Sequence, residues 1–307
     1  MSKAILIAGP TASGKSALAL RLAEEIGGVI VNADSMQVYR ELRVLTARPT
    51  PEEEARVPHR LYGIVSAAEA FSVGQWTERA RAALEEAWAS GRVPIVVGGT
   101  GLYFEALTKG LADIPDVPEA VRTETRALLA EEGAAGLYAR LAERDPAGAA
   151  RLRPSDPQRI ARAWEVLTAT GRPLAEWQRT PEPSPLAGGV RLVLDPPRAT
   201  LHARCDARLA SMVEQGALEE VRALAALNVP PDRPAMRALG VPHFLRHVRG
   251  QMPLDRALAD AQTATRRYVK RQSTWFRHRM ADWTFLAEED PDRLAKQALQ
   301  RFRLSRT

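Results

Sequence analysis

Eight residues near the N-terminus constrain the fold more than any other feature. Gly9, Pro10, Thr11, Ala12, Ser13, Gly14, Lys15 and Ser16 follow directly on the uncharged run Ala4–Ala8. They match the phosphate-binding pattern Gly-x-x-x-x-Gly-Lys-Ser/Thr in the setting it needs, with an apolar strand before it and a helical pattern from about Ala17 to Glu25 after it. The glycines let the backbone curl so that successive N–H groups converge on phosphate oxygens, and the helix N-terminus adds partial positive charge. Lys15 can reach the terminal phosphates, and the Ser16 hydroxyl is placed to hold Mg²⁺. A bare glycine turn would not need all eight positions. The chain is built to grip a polyphosphate.

Strand-type and helix-type segments alternate through residues 1–112, the signature of a parallel sheet. Gly28–Val31 is a short apolar strand that runs into Asn32, Ala33 and Asp34. Thr50 with Glu53, and Ser72 with Gln75, form capping boxes that open helices. The second helix buries Trp76, Ala80, Ala83, Leu84 and Ala87 and stops at Gly91; Val93–Val97 is then a buried strand, followed by Gly98, Gly99, Thr100 and Gly101. Proline-rich stretches at Asp113–Pro118 and Thr180–Pro185 bracket about 65 residues with helical patterns and no convincing strand. Between them Ser155 with Gln158 forms a third capping box, and Gly171 with Pro173 ends that helix. Strand-type sequence returns at Val190–Leu194, and the remainder is helical in pattern up to a small strand at Trp283–Leu286. The expected class is α/β: a P-loop parallel sheet flanked by helices (residues 1–112 and 191–307), with a helical insertion domain at 113–190 and a helical C-terminal region.

Charge separates these parts. Residues 1–112 hold 12 Lys/Arg against 12 Asp/Glu, residues 113–190 hold 10 against 12, and residues 191–307 hold 21 against 13. The positive excess is densest at Arg266, Arg267, Lys270, Arg271, Arg277 and Arg279, with Tyr268, Trp275 and Phe276 interleaved. Two readings stay open: a nucleic-acid surface, or an amphipathic helix with its aromatics in the core and its cations in solvent. The single cysteine, Cys205, excludes an internal disulfide framework and points to a reducing compartment. No apolar run approaches ~20 residues, so no membrane partner is expected and the cytoplasm is the expected compartment.

The strand before the second glycine-rich turn ends without a carboxylate, unlike that of a hydrolysing P-loop ATPase. The acid is instead Asp34, after the strand that follows the P-loop helix. There, at the carboxyl edge of a parallel sheet, it can accept a proton from an incoming nucleophile. A small-molecule kinase and a transferase with a pyrophosphate leaving group both fit. A nucleic-acid-binding module with a structural nucleotide would leave Asp34 idle.

Seven motifs occur in order: Gly9–Ser16, Asp34–Tyr39, Thr46–Arg48, Pro58–Arg60, Gly98–Tyr103, Asp156–Arg162 and Lys270–Trp275. Over nearly the whole chain this set resembles the tRNA dimethylallyltransferases. The resemblance implies transfer of a dimethylallyl group from dimethylallyl pyrophosphate to the exocyclic amine of the adenine 3′-adjacent to the anticodon, releasing pyrophosphate. The P-loop would then serve the donor's pyrophosphate, with Mg²⁺ as cofactor. By the same resemblance Asp34 is the general base, Arg208 meets the pyrophosphate and Thr100 belongs to the active site. The resemblance also implies that Ser35, Met36, Gln37, Arg122, Gln158, Arg159, Ile160, Ala161, Arg162 and Arg237, together with Asp34, contact the tRNA, whose anticodon stem-loop is the expected partner; the enzyme is expected to be a monomer.

The chain departs from the family's pattern in two places. Relatives often carry Gly-Thr-Ala-Lys-Pro where this sequence has Leu45-Thr46-Ala47-Arg48-Pro49, a change expected to reshape the loop. A stretch resembling Arg-x-x-Gly-Tyr-Arg is here Arg237-Ala238-Leu239-Gly240-Val241-Pro242, so the Tyr-Arg pair is missing.

Overall fold

The computed structural model describes residues 3–179, 183, 184, 186 and 188–304. Thr180, Pro181, Glu182 and Pro185 of the second proline-rich stretch lie outside the described residues. Strand β1 (Ile5–Ala8) leads through the P-loop into α1 (Lys15–Ile26), followed by β2 (Gly28–Asn32), α2 (Pro51–Arg56), β3 (His59–Arg60), α3 (Val73–Ala89), β4 (Val93–Gly98) and α4 (Gly101–Lys109). Next come α5 (Glu119–Arg144), α6 (Pro146–Ala149), α7 (Pro157–Thr170) and α8 (Leu174–Trp177). The chain closes with β5 (Val190–Leu194), α9 (Arg198–Glu214), α10 (Ala217–Ala226), a 3₁₀ turn (Pro234–Arg237), α11 (Val241–Val248), α12 (Leu254–Arg279), β6 (Thr284–Leu286) and α13 (Pro291–Leu304).

The strands form one parallel sheet in the order β3-β2-β4-β1-β5-β6. The inner strands are apolar at almost every position because both faces are covered. Alternate residues serve opposite faces: Leu6, Val31, Val96 and Val193 join one core, while Ile5, Ile7, Ile30, Ile95, Val97 and Leu192 join another that contains residues of α1 and α13. The chain leaving β1 turns toward β2, and the chain leaving β5 goes to the opposite edge. A crevice therefore opens at the carboxyl ends of the central strands, where α/β sheets bind ligands. Only β3, a two-residue edge strand, had no sequence signal.

The turn after β2 is locked by backbone. Ala33 donates its N–H to Val97 O (2.8 Å) and accepts at its carbonyl from Thr100 N–H (3.1 Å). Gly98 permits this approach, since a Cβ there would lie 2.0 Å from Ala33 O. Asn32, fully buried, accepts the Asp34 N–H (2.8 Å) and donates to the Asp34 and Leu61 carbonyls (3.0 Å each). Trp76 closes the arrangement, its indole N–H on Asn32 O (2.9 Å) and its ring stacked on Tyr103 at 4.1 Å.

Two compact units result, residues 1–107 with 186–307, and residues 108–185. The division lies a few residues before the expected boundaries at 113 and 190, because Leu186 is already buried in the sheet unit and donates its N–H to Leu107 O. The second unit is helical, with its own core of Leu137, Leu141, Ile160, Ala163, Trp164 and Leu167. Its α7 is capped by Asp156, which accepts from Arg159 N–H (3.2 Å), rather than by the expected Ser155–Gln158 box. With Asp156 as the cap, Pro157 takes the first helical position, where its fixed φ and missing N–H cost nothing. The boxes at Thr50 and Ser72 form as expected. No described helix is long and apolar enough to cross a membrane.

Trp76→Phe keeps the stacked ring but strands the Asn32 carbonyl. Denaturant melts should show a loss of about 1–3 kcal/mol, the cost of a buried group left unpaired.

Candidate active site

The crevice holds a cavity of about 220 Å³. Thr11 of the P-loop, Asp34, Ser35 and Met36 line it, with Leu45 and Thr46 from the following loop. Helix α9 contributes Cys205, Arg208, Leu209 and Met212; the 3₁₀ turn and its exit contribute Arg237 and Leu239; α12 contributes Thr265, Tyr268 and Arg271. One carboxylate and three guanidinium groups therefore meet an apolar wall. Such a lining suits an anion attached to a hydrocarbon.

The P-loop takes its expected form, with Gly14 at φ 90° and Ala12 at φ 62°. Lys15, Ser16 and Ala17 open α1, so their N–H groups have no carbonyl one turn behind them. Lys15 folds its ammonium back onto Pro10 O (3.3 Å). Burial, with a smaller contribution from nearby Arg208, lowers its pKa to about 8 despite the attraction of Asp34. The Arg208 guanidinium reaches Thr11 Oγ1 (3.4 Å), and burial lowers its pKa too. The Ser13 hydroxyl is buried without a hydrogen-bond partner.

Asp34 accepts Met36 N–H at Oδ1 (2.9 Å), and its Oδ2 has no hydrogen-bond partner among the described residues. Thr100 sits just before α4. Its Oγ1 accepts Ser35 N–H (2.9 Å) and also bonds Ser35 Oγ (3.2 Å), tying the glycine turn to the Asp34 loop. Gln37 donates to the Thr46 and Ala47 carbonyls (2.9 Å each), so its amide nitrogen is committed to the loop.

Two further side chains shape this site. Glu220 of α10 accepts the backbone N–H groups of Arg43, Val44 (2.8 Å) and Leu45 (2.9 Å) and so holds the cavity's loop wall. Leu45 is not at positive φ, so the departure from glycine costs no backbone strain. Gln272 of α12, 5% exposed, accepts Thr11 N–H (3.0 Å) and donates to Gly99 O (2.9 Å). A glutamine on the buried stripe of Ala257, Ala261, Val269 and Phe276, inside the motif Lys270–Trp275, is the signal that could have exposed it.

The basic segment divides. Phe276 is in the core, Trp275 packs over Gly101 and Tyr268 lines the cavity, as an amphipathic helix requires. Arg266 pairs with Asp206 (2.7 Å), Arg277 with Asp195 (2.9 Å) and Arg279 with Glu105 (3.1 Å). Arg267 and Lys270 are exposed with no ionic partner among the described residues, and Arg271 lies over the Tyr268 ring at 5.4 Å. On α9, Arg204, one turn before Arg208, pairs with Glu289 (3.3 Å). Arg237 is exposed at the cavity, whereas Val241 is fully buried and Pro242 carries no N–H.

Within the helical unit, Gln158 and Arg159 are exposed, Arg159 beside Asp156 (3.5 Å). Arg162 is partly buried, its pKa lowered by that burial, with Glu165, Arg122 and Asp116 close enough to act on its charge. Ala161 is partly exposed. Ile160, between Arg159 and Ala161, is fully buried, and its side chain packs in this unit's core.

No cluster of three or more His, Cys, Asp or Glu suited to a metal occurs among the described residues. The Ser16 hydroxyl is exposed at the start of α1. A single hydroxyl suits a divalent cation that takes most of its ligands from phosphate and water.

A family model described as IPP transferase matches residues 37–279. The chain is 60% identical to a tRNA dimethylallyltransferase of Rhodospirillum centenum, covering 90% of this chain and 89% of that one. It is 58% identical to one of Azorhizobium caulinodans, covering 91% and 90%. Its structure resembles the tRNA isopentenylpyrophosphate transferase of Bacillus halodurans with TM-score 0.68 and 31% identity over the whole of both chains. It also resembles a eukaryotic dimethylallyltransferase acting on tRNA, with TM-score 0.77 and 28% identity over 89% of this chain and 69% of that one. With a P-loop, a lone carboxylate and an apolar-walled cavity in one crevice, the chain belongs to the tRNA dimethylallyltransferases of the IPP transferase family.

Proposed function

We propose that the chain binds dimethylallyl pyrophosphate in the P-loop crevice and transfers its dimethylallyl group to the exocyclic amine of the adenine 3′-adjacent to the anticodon of tRNA. The observation that carries this reading is the cavity that joins Asp34 to Thr11 and Arg208 beside an apolar wall. In the reaction the amine nitrogen bonds to the allylic carbon as that carbon's bond to the pyrophosphate oxygen breaks. The amine proton passes to the Asp34 carboxylate, and the bonding electrons leave with pyrophosphate. The N–H groups opening α1, Lys15 and Arg208 are the groups suited to the charge that develops there. Mg²⁺ on the pyrophosphate, reached by Ser16, would neutralise part of that charge. Met36, Leu45, Leu209, Met212 and Leu239 suit the five-carbon group and exclude water from an allylic centre that would otherwise hydrolyse.

The target base must leave its stack to reach Asp34. Ser35, Met36, Gln37 and Arg237 are proposed to receive it. Arg122, Gln158, Arg159, Ala161 and Arg162 of the helical unit are proposed to hold the anticodon stem-loop. The enzyme is proposed to act as a monomer in the cytoplasm.

The direct test incubates the protein with labelled dimethylallyl pyrophosphate, Mg²⁺ and unmodified tRNA. RNA-bound label is expected; ATP turnover with a small hydroxyl acceptor instead would make it a kinase. Asp34→Asn should retain tRNA affinity and slow single-turnover transfer by ~10²–10⁴-fold, the range for loss of a general base.

The state of Lys15 sets a pH dependence. With its pKa lowered to about 8, the ammonium is charged below that pH and neutral above it. Donor affinity, measured by calorimetry, should be flat from pH 7 to 8 and then fall by up to ~tenfold per unit. Lys15→Arg should abolish the fall.

On α12 only the unpaired cations are free to meet phosphate. Arg267→Ala with Lys270→Ala should flatten the salt dependence of tRNA affinity by about two counterions. Arg266→Ala, which removes a cation already paired with Asp206, should change the slope much less, as filter binding across salt would report.

A further inference from the structure

Two polar side chains lie on the buried stripe of α12. Thr265 returns its hydroxyl to Ala261 O of its own helix (2.8 Å), as buried threonines commonly do. Gln272 turns outward to two loops from different strands. Its Oε1 accepts the Thr11 N–H of the P-loop after β1 (3.0 Å), and its Nε2 donates to Gly99 O of the turn after β4 (2.9 Å). From Gly99 the connection continues through Thr100 Oγ1, which accepts the Ser35 N–H beside Asp34 (2.9 Å). A Cβ on Gly99 would lie 2.5 Å from Gln272 Nε2 and 3.3 Å from Asp34 Oδ2, so residue 99 is packed between the carboxamide and the carboxylate.

Each loop has its own internal support. The P-loop closes through Ser13 N–H on Pro10 O (3.2 Å) and runs into α1, while Asp34 is held through Asn32 and Met36. Removing Gln272 therefore leaves both halves standing and loosens only the relation between them. That relation matters most in a displacement, where attacking nitrogen, allylic carbon and leaving oxygen must align. A misplacement of about 1 Å can cost ~10²-fold in rate.

We infer that Gln272 is a positioning residue, whose carboxamide sets the separation of the pyrophosphate-holding loop from the loop that carries Asp34. The inference rests on the transfer reaction proposed above. It assigns to α12, the helix whose outer face carries Arg267 and Lys270, a second task on its inner face.

Gln272→Met keeps the volume and removes both hydrogen bonds. Gln272→Glu keeps an acceptor for Thr11 N–H and loses the donor to Gly99 O. Gly99→Ala keeps the glutamine and displaces its amide from the other side. For each, the single-turnover rate at saturating donor and tRNA is measured with the dissociation constant of each substrate and the melting temperature. A rate lower by ~10–100-fold is expected, with both dissociation constants within about threefold of wild type. A rate within about twofold of wild type overturns the inference, and so does a loss of rate matched by losses in both affinities and in melting temperature, the mark of a merely structural glutamine. If Gln272→Met does not fold, the other two variants decide by the same criteria. Failure of the wild type to label tRNA would count against the proposed reaction rather than against the role of Gln272.

Discussion

The peptide unit of Ala33, hydrogen-bonded on both sides to the end of β4 and the turn beyond it, is the constraint on which the site depends. Its N–H is spent on Val97 and its carbonyl on Thr100, and the approach is close enough that position 98 has no room for a side chain. Asp34 follows one residue later, so the carboxylate is located by sheet backbone rather than by a mobile loop. Asn32 adds a second restraint from a fully buried position, where an unsatisfied amide would be costly. A group that must meet a proton at one point is best placed on such rigid elements.

Electrostatics work against this frame until a ligand arrives. Lys15 and Arg208 both have their cationic forms disfavoured by burial, with Asp34 as the nearby countercharge. Arg237 and Arg271 line the same cavity without adding a carboxylate. The free site thus holds an excess of positive charge, poorly solvated at Lys15 and Arg208, and a bound pyrophosphate would relieve it. In the proposed transfer, charge on the leaving oxygens grows as the allylic bond breaks, so the relief would be greatest in the transition state. Interactions of that kind raise rate rather than only affinity.

The sequence was legible where function is written into consecutive residues. The P-loop, the Asp34 turn and the caps at Thr50 and Ser72 are local in their chemistry, and they fold as local chemistry dictates. What escaped was set by tertiary packing. Gln272 and Glu220 act on residues 261 and about 175 positions away, and neither spacing nor composition encodes such partners. Ile160 lies inside a recognisable motif, yet its side chain points into the core of the helical unit, since a helix must bury one face whatever its exposed face does. The cations of α12 looked alike in sequence, and only their neighbours separate Arg266, held by Asp206, from Lys270. At α7 two adjacent residues could cap the helix, and the proline that follows them fits Asp156 as the cap.

The two departures from the family's pattern are joined by packing. Leu45 stands where relatives often have glycine, and Val241 where they have the tyrosine of a Tyr-Arg pair. Leu45 is buried, its Cδ2 lying 3.0 Å from where a Cβ on Gly240 would sit, and Val241 next in the chain is fully buried in the same core. Gly240 has φ 90°, so that position accepts a side chain neither for steric nor for backbone reasons. A leucine gained on one side of this glycine and a smaller apolar residue on the other keep the core filled and the cavity wall apolar. Restoring the family's glycine at position 45 alone would therefore leave a hole beside Gly240, at a cost of the order of 2–5 kcal/mol for a lost buried leucine. Leu45 is thus held in place by the bare backbone of Gly240, in the same core as Val241, and the apolar wall it gives the cavity depends on that packing.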